Sequence, residues 1–527
     1  MSHTPWIPTA RRVLVLIALL ISLSAATPLL AQQAAGPRPQ TPSVQTAQMP
    51  IASPVMELSM AQAVAMALET NLGLKRDRLD MSLAAQGIAS ARAAFLPSLT
   101  GGISRNTRTS VPTNQFETTQ SISKSSNLTT SATFAQALPW FGSSYRVNMS
   151  GGRSATNGFS TFNPTLSSGM TLTFSQPLWQ RLKIDSNRFG VESSQRNHQI
   201  VDLQLQEQIL QTQTAVRLAY LNLVGAIAGV EVAQENKRTN DQALANARAR
   251  IAVGSAAEID AIQSEAAVLS SEDAVIVAET RVATSEDVLR NLIVDVARVD
   301  FWSVHIVPTD TFRAEPKEID IEASIKNALD NRLDLQVARR QLELTRLNQD
   351  LTRDQTKMAL DMTAQYSASG TGGTQIDPNT NLPVTVGFGS VFGDAFGYKN
   401  PSWTLGLTFG YPLGQTSARV NLARQQIQID QATIDLKTQE QNITAQVRDA
   451  ARQVTSGFRR VQSTQAALAA NEKQLEAEQR KLAVGMASTF DVLQRQQLLA
   501  SAKNAELAAR IAYNQALINF ERVQRIR

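Results

Sequence analysis

Two periods of hydrophobic positions divide the chain. Ile209, Val216, Leu223, Val230, Lys237, Leu244 and Ile251 are spaced by seven, and all but Lys237 are apolar. Val447, Val454, Val461, Leu468, Leu475 and Leu482 repeat that spacing further on. A sustained 3.5-residue period predicts supercoiled helices. No proline interrupts residues 186–253, so one helix of roughly 100 Å is expected there, followed by a second from about 257 to 297. Between the helical stretches the period drops to two. Trp403, Leu405, Leu407, Phe409 and Tyr411 alternate with Thr404, Gly406, Thr408 and Gly410. Met170, Leu172 and Phe174 alternate with Thr171, Thr173 and Ser175; Tyr145, Val147 and Met149 with Arg146, Asn148 and Ser150; Met358 through Tyr366 follow suit. These read as strands with one apolar and one polar face.

The chain also contains itself twice. Arg250–Gln263 reads R-I-A-V-G-S-A-A-E-I-D-A-I-Q, and Lys481–Gln494 reads K-L-A-V-G-M-A-S-T-F-D-V-L-Q, 231 residues later. The heptads align at the same offset. Gly254 and Gly485 therefore mark the bends of two helical hairpins, where glycine suits a positive φ. Ser255 with Glu258, and Ser488 with Asp491, are expected to cap the helices that follow. A second repeat pairs Leu58–Leu74 with Ile319–Leu335 at an offset of 261 residues. The first copy thus carries about thirty extra residues within its strand block, since 261 − 231 = 30. The organisation expected is a leader over 32–55, repeat 1 over 56–300 (strands about 96–177, bend at 253–255), a linker over 301–318, and repeat 2 over 319–527 (strands about 358–412, bend at 484–486).

The strand segments run to about ten residues, the length that crosses a bilayer when tilted. Trp140, Phe141, Trp179, Trp403 and Tyr411 gather near their ends, as an interfacial aromatic girdle would, and the stretches 105–127 and 370–400 read as polar loops. A transmembrane β-barrel is the expectation. At most six candidate strands occur, too few to close a barrel alone, so several copies must share one.

Composition changes this picture little. Arg11 and Arg12 precede an apolar run to Ala26, and small residues follow to Ala31, so residues 1–31 read as a secretory signal peptide. After it no unbroken run of about 18 apolar residues occurs, so no transmembrane helix is expected. The absence of cysteine excludes disulfides, thiol chemistry and a lipid-modified N-terminal Cys. His3, His198 and His305 share no motif. A net charge of +5 with no basic cluster interleaved with aromatics gives no case for nucleic acid. No Ser/His/Asp set, HExxH, P-loop or dinucleotide signature is present, so no enzyme, cofactor or metal site is expected.

The order of helix, strands and long hairpin with V-G at its bend, given twice, resembles the TolC family of outer-membrane efflux proteins. The resemblance rests on L-S-M-A-Q-A-V-A-M-A-L-E-T-N-L-G-L at Leu58–Leu74, A-R-A-A-F-L-P-S-L at Ala91–Leu99, Q-P-L at Gln176–Leu178, A-L-D-N-R-L-D-L at Ala328–Leu335, where the family favours proline in place of Leu333, and the two bends. It implies a mainly α fold with membrane β. A homotrimer would share one β-barrel, usually with four strands per subunit, and continue as an antiparallel coiled-coil tunnel through the periplasm. It implies a passive duct in a tripartite efflux or type I secretion system, embedded in outer-membrane lipid and coupled to a periplasmic adaptor and an inner-membrane pump. Val253, Gly254, Val484 and Gly485 would meet the adaptor. Asp260 and Asp491 would ring the periplasmic tip and favour cations, besides stabilising their helix N-termini. Three departures stand out: an apparent extra hairpin around Asn127–Gly152, Gln263 and Gln494 where some members place a second acid, and Ala487 where a member carries a closing Arg. The alternative reading is a trimeric coiled-coil surface protein with a membrane anchor.

Overall fold

The computed structural model describes residues 55–112, 122–255, 257–295, 302–397, 399–411, 413–414 and 416–524. The signal peptide and nearly all of the leader lie outside these. The first half runs β1 (Val55–Leu58), α1 (Met60–Thr70), α2 (Leu72–Ala93), β2 (Ser98–Ser110), β3 (Ser123–Ala137), β4 (Ser144–Thr156), β5 (Thr165–Pro177), α3 (Ser186–Ala252) and α4 (Glu258–Ile293). After β6 (His305–Pro308), the second runs α5 (Ile321–Asn331), α6 (Leu333–Gln355), β7 (Ala359–Ile376), β8 (Pro383–Val386), α7 (Phe388–Phe396), β9 (Pro401–Gly410), α8 (Ser417–Ala483) and α9 (Thr489–Gln524).

The duplication survives in the element lengths. Helices α3 and α8 each have 67 residues. Helices α4 and α9 each have 36. Helices α1 and α5 each have 11, and each ends at a residue with extended backbone, Asn71 and Arg332, before a new helix begins. Leu333 is thus the first residue of α6, a position where proline costs no hydrogen bond, which fits the family's usage there. Polar caps set the starts. Ser59 and Gln62 form a capping box on α1, and Asp185 accepts the Asn187 and Arg188 N–H groups at the start of α3.

Each half has its own core. In the first, Val216, Tyr220 and Leu223 of α3 pack with Leu289 and Ile293 of α4, Ala63 and Ala67 of α1, and Ile306 of β6. In the second, Val447, Val454 and Val461 of α8 pack with Tyr513 and Phe520 of α9 and Ala328 of α5. Val216 and Val447, matched by the 231-residue offset, are both fully buried, as are Leu223 and nearly all of Val454. Each such side chain stabilises the fold by roughly 1.5–3 kcal/mol. Tyr220 spans the first core to donate its O–H to the Leu58 carbonyl at 2.8 Å.

Two expectations need correction. The 301–318 stretch is more than a linker, because β6 pairs in parallel with β1, Val55 opposite His305. The stretches read as loops contain the outer ends of β2, β3 and β7, the strand β8 and the helix α7. One 18-residue window of α3 is apolar enough to cross a bilayer by composition. Single polar residues such as Arg217 and Asn222 break the strict run in sequence without lowering the mean hydropathy enough. The buried Val216, Tyr220 and Leu221 mark that part of α3 as core of the helical layer.

All the long strands join one antiparallel sheet. Its order is β2-β3-β4-β5-β7, with β9 and then β8 along the far edge of β7. Among the described residues the chain therefore has six long strands. The extra hairpin is β3–β4, paired from Ser125 opposite Thr156 to Ala137 opposite Ser144. Helices enter and leave at one end of the sheet, near Ser98, Pro177, Ala359 and Gly410. Arg181 ties that end together: its backbone N–H donates to Asp354 at 2.6 Å and its guanidinium to both oxygens of Asp361 at 2.7 and 2.8 Å.

Candidate functional site

Cross-strand register sorts the sheet into two faces. Leu99, Phe134, Val147, Leu172, Tyr366 and Trp403 form one row across six strands. Adjacent rows on that face hold Ala132, Met149, Met170, Ala364, Leu405, Leu407 and Phe409. The opposite face holds Thr100, Thr133, Asn148, Thr171, Gln365 and Thr404. Hydroxyls there find partners across strands, as Ser104 with Thr129 at 2.6 Å and Thr133 with Asn148 at 3.0 Å. Among the described residues, nothing covers much of the apolar face: Ile103 is 74% exposed and Trp403 78%. An uncovered apolar face this long needs lipid, and a backbone that crosses lipid must close its edges. Both edges, β2 and β9, lack a partner for most of their length within the described residues.

The aromatic residues fall at two levels. Trp140 and Phe141 lie in the β3–β4 turn, Trp179 just past β5 and Tyr411 just past β9, all at the end where the helices attach. Trp403 sits inside β9, two residues from its opposite end. The trio Phe388, Phe392 and Phe396 was missed from sequence; their rings stack along α7 at 5.1 and 6.1 Å between centroids.

The helical ends lie far from the sheet. Both bends close with the same backbone device. Gly254 has φ +74 and Gly485 φ +78. The Gly254 N–H donates to the Ile251 carbonyl at 2.9 Å and the Ser255 N–H to that of Arg250 at 2.8 Å. Gly485 and Met486 repeat this with Leu482 at 3.1 Å and Lys481 at 2.8 Å. This double bond pattern is the left-handed helix stop that glycine favours. Val253 and Val484, the residues before the glycines, are 78% and 71% exposed, and Met486, Ile259 and Phe490 beside them are exposed as well.

The two bends differ in their caps. Ser488 donates to Asp491 through its N–H at 2.9 Å and its hydroxyl at 2.6 Å, and its hydroxyl oxygen accepts the Asp491 N–H at 3.2 Å. These bonds hold the Asp491 carboxyl below the usual carboxylate range, with Lys481 and Arg495 adding to the effect. The cap expected from Ser255 and Glu258 does not form. The cap position of α4 is Ala257, which has no side-chain bond to give, and Ser255 donates back to the Arg250 carbonyl instead. Asp260 remains in the first turn of α4, matched to Asp491 in α9. Among the described residues no three His, Asp or Glu side chains converge as a metal site. His305 pairs with the buried Glu286 at 3.0 Å.

Solved structures share this architecture. The Campylobacter jejuni CmeC outer membrane channel superposes with a TM-score of 0.64 at 15% identity, covering 88% of this chain and 85% of that one. CusC, described with the conformational changes of transmembrane channel formation, gives 0.65 at 16% identity, with 93% and 98% covered. The open state of the Neisseria gonorrhoeae MtrE channel gives 0.60 at 15%, with 93% and 97% covered. No curated protein matches by sequence. The sequence profile of outer membrane efflux proteins matches residues 63–293 and 324–523, spanning both repeats. The chain belongs to the outer membrane efflux protein family, and its work is that of an outer-membrane efflux duct that extends into the periplasm.

Proposed function

We propose that three copies of this chain share a single barrel of eighteen strands, continued by a helical tunnel, and pass cargo passively from an adaptor-coupled inner-membrane pump. Channels of this family are trimers that work with adaptor proteins and inner-membrane pumps. The observation that carries the reading is the sheet of six long strands with one uncovered apolar face and two largely unpaired edges. Pairing β9 of one copy with β2 of the next satisfies both edges. Barrel diameter grows with strand number, so eighteen strands give a backbone diameter of roughly 36 Å against roughly 24 Å for twelve. The Ser- and Thr-rich face then lines the pore. Trp140, Phe141, Trp179 and Tyr411 form the periplasmic girdle and Trp403 belongs to the outer one.

The tunnel narrows at the bends, where Asp260 and Asp491 supply a ring of carboxylates that favours cations. The exposed Val253, Val484 and Met486 with Gly254 and Gly485 form the adaptor surface. The lack of cysteine makes the test clean. Single cysteines placed on β2 and β9 should cross-link into covalent trimers and go no further. In lipid bilayers the same trimers should lose cation preference when Asp260 and Asp491 are both changed to Asn. With Asp260 changed to Asn, the remaining Asp491 should keep part of that preference as pH falls through the ordinary carboxylate range, because its carboxylate holds its charge below it. A detergent-soluble monomer would defeat the barrel; unchanged selectivity would defeat the ring.

A further inference from the structure

The apolar face of the sheet carries no charged side chain through its helix-attached half. At the far end three cations break the pattern. Arg105, Leu128, Arg153, Leu166 and Gly372 form one cross-strand row on this face, and Lys124 lies further out on it, opposite Thr109. Arg105 and Arg153 flank Leu128, about 10 Å apart at two strand spacings. All three cations are exposed, and among the described residues no carboxylate pairs with any of them. The next row inward is Ile103, Thr130, Gly151, Ser168 and Gly370. Helix α7 lies on this row. The Ser168 hydroxyl donates to the Val391 carbonyl at 2.7 Å, and a Cβ on Gly151 would stand 3.1 Å from Phe388 and 3.4 Å from Phe392. The row narrows to Gly151, Ser168 and Gly370 where the helix rests. Its Phe388 and Phe396 remain 40% and 46% exposed.

Cationic groups above, and apolar rings and aliphatic side chains below, match a ligand with phosphates at one end and acyl chains at the other. The geometry assigns this patch as a binding site for a phosphorylated, acylated glycolipid of the outer leaflet. Arg105, Arg153 and Lys124 hold its phosphates, and Phe388, Phe396 and Ile103 receive its chains. Arginine suits the first role through its planar fork of donors. A charge on the lipid face is costly at the membrane centre and nearly free at its rim, so its place at the outer end follows. This assignment rests on the barrel reading above, which puts the apolar face in lipid.

The test uses the intact trimer purified from outer membranes in mild detergent. Retained glycolipid is measured by native mass spectrometry and phosphate analysis, for the wild type and for R105Q/K124Q/R153Q. Each cation near an anionic lipid surface contributes about a fivefold factor, so the triple variant should bind roughly a hundredfold more weakly. Glycolipid stripped of phosphate should fail to compete. R108Q, on the opposite face, should change nothing. Equal retention by wild type and triple variant, or equal competition by dephosphorylated glycolipid, overturns the site. Should the triple variant fail to assemble, R105Q and R153Q singly serve the same comparison. A wild type that never forms an outer-membrane trimer overturns the barrel reading, whereas an intact conducting trimer with unchanged lipid overturns this site alone.

Discussion

The two helical halves and the two strand blocks have met different constraints. In the hairpins every length is kept, 67 and 36 residues in each copy. In the strand blocks one copy has four long strands and the other two. A helix in a tunnel must match its neighbours along its whole length, so a residue gained in one copy shifts every packed position above it. A strand block answers only to its two edges and to the end where helices attach. The hairpin β3–β4 starts and finishes at the far end of the sheet, so it adds width and leaves the attachments untouched.

The sharpest way to break this comparison is to remove that hairpin. Excising residues 123–156 joins two loops on one side and leaves β2 antiparallel to β5. The trimer should persist, with a barrel of twelve strands. Polymer-exclusion measurements should show the barrel mouth shrinking by about a third in diameter. Loss of the trimer would mean that the strand blocks are as constrained as the helices. A smaller effect is expected from G254A and G485A. Both glycines hold positive φ, which costs a side-chain-bearing residue roughly 1–2 kcal/mol. Thermal unfolding should register equal losses in the two copies, since the backbone device is the same; unequal losses would show that the halves have diverged at the bend. The smallest effect distinguishes the caps. A257S should stabilise by about 0.5–1 kcal/mol by giving α4 the cap that Ser488 gives α9, and S488A should lose a similar amount. A neutral A257S would place the difference between the bends elsewhere.

The heptads, the offset repeats and the alternation were legible in sequence because each is a periodic consequence of burial on one face. Val216 and Val447 share a register and a fully buried environment for that reason. The extra hairpin is legible as the thirty-residue mismatch between the two repeat offsets. What stayed hidden depended on contacts with no local period. Helix α7 spans only nine residues with two glycines in its interior, and its helical state owes more to Gly151, Ser168 and Gly370 beneath it than to its own propensity. Strand β6 is four residues long and exists through β1, some 250 positions earlier. Ser255 was misassigned because a serine three residues before an acid looks the same at a helix stop as at a helix start. Ser255 directly follows Gly254 and bonds back to the Arg250 carbonyl, whereas Ser488 lies three residues past Gly485 and caps α9.

The polarity of the β3–β4 hairpin also limits which pore sizes this lineage of ducts can take. A single added strand would deliver the chain to the wrong side of the bilayer, so each subunit changes its share only in steps of two. With three copies closing one barrel, as proposed, that step is multiplied, and strand number is therefore available only in increments of six. A duct of this type cannot be tuned gradually to its cargo at the membrane; fine adjustment is left to the side chains facing the pore and to the hairpin ends below.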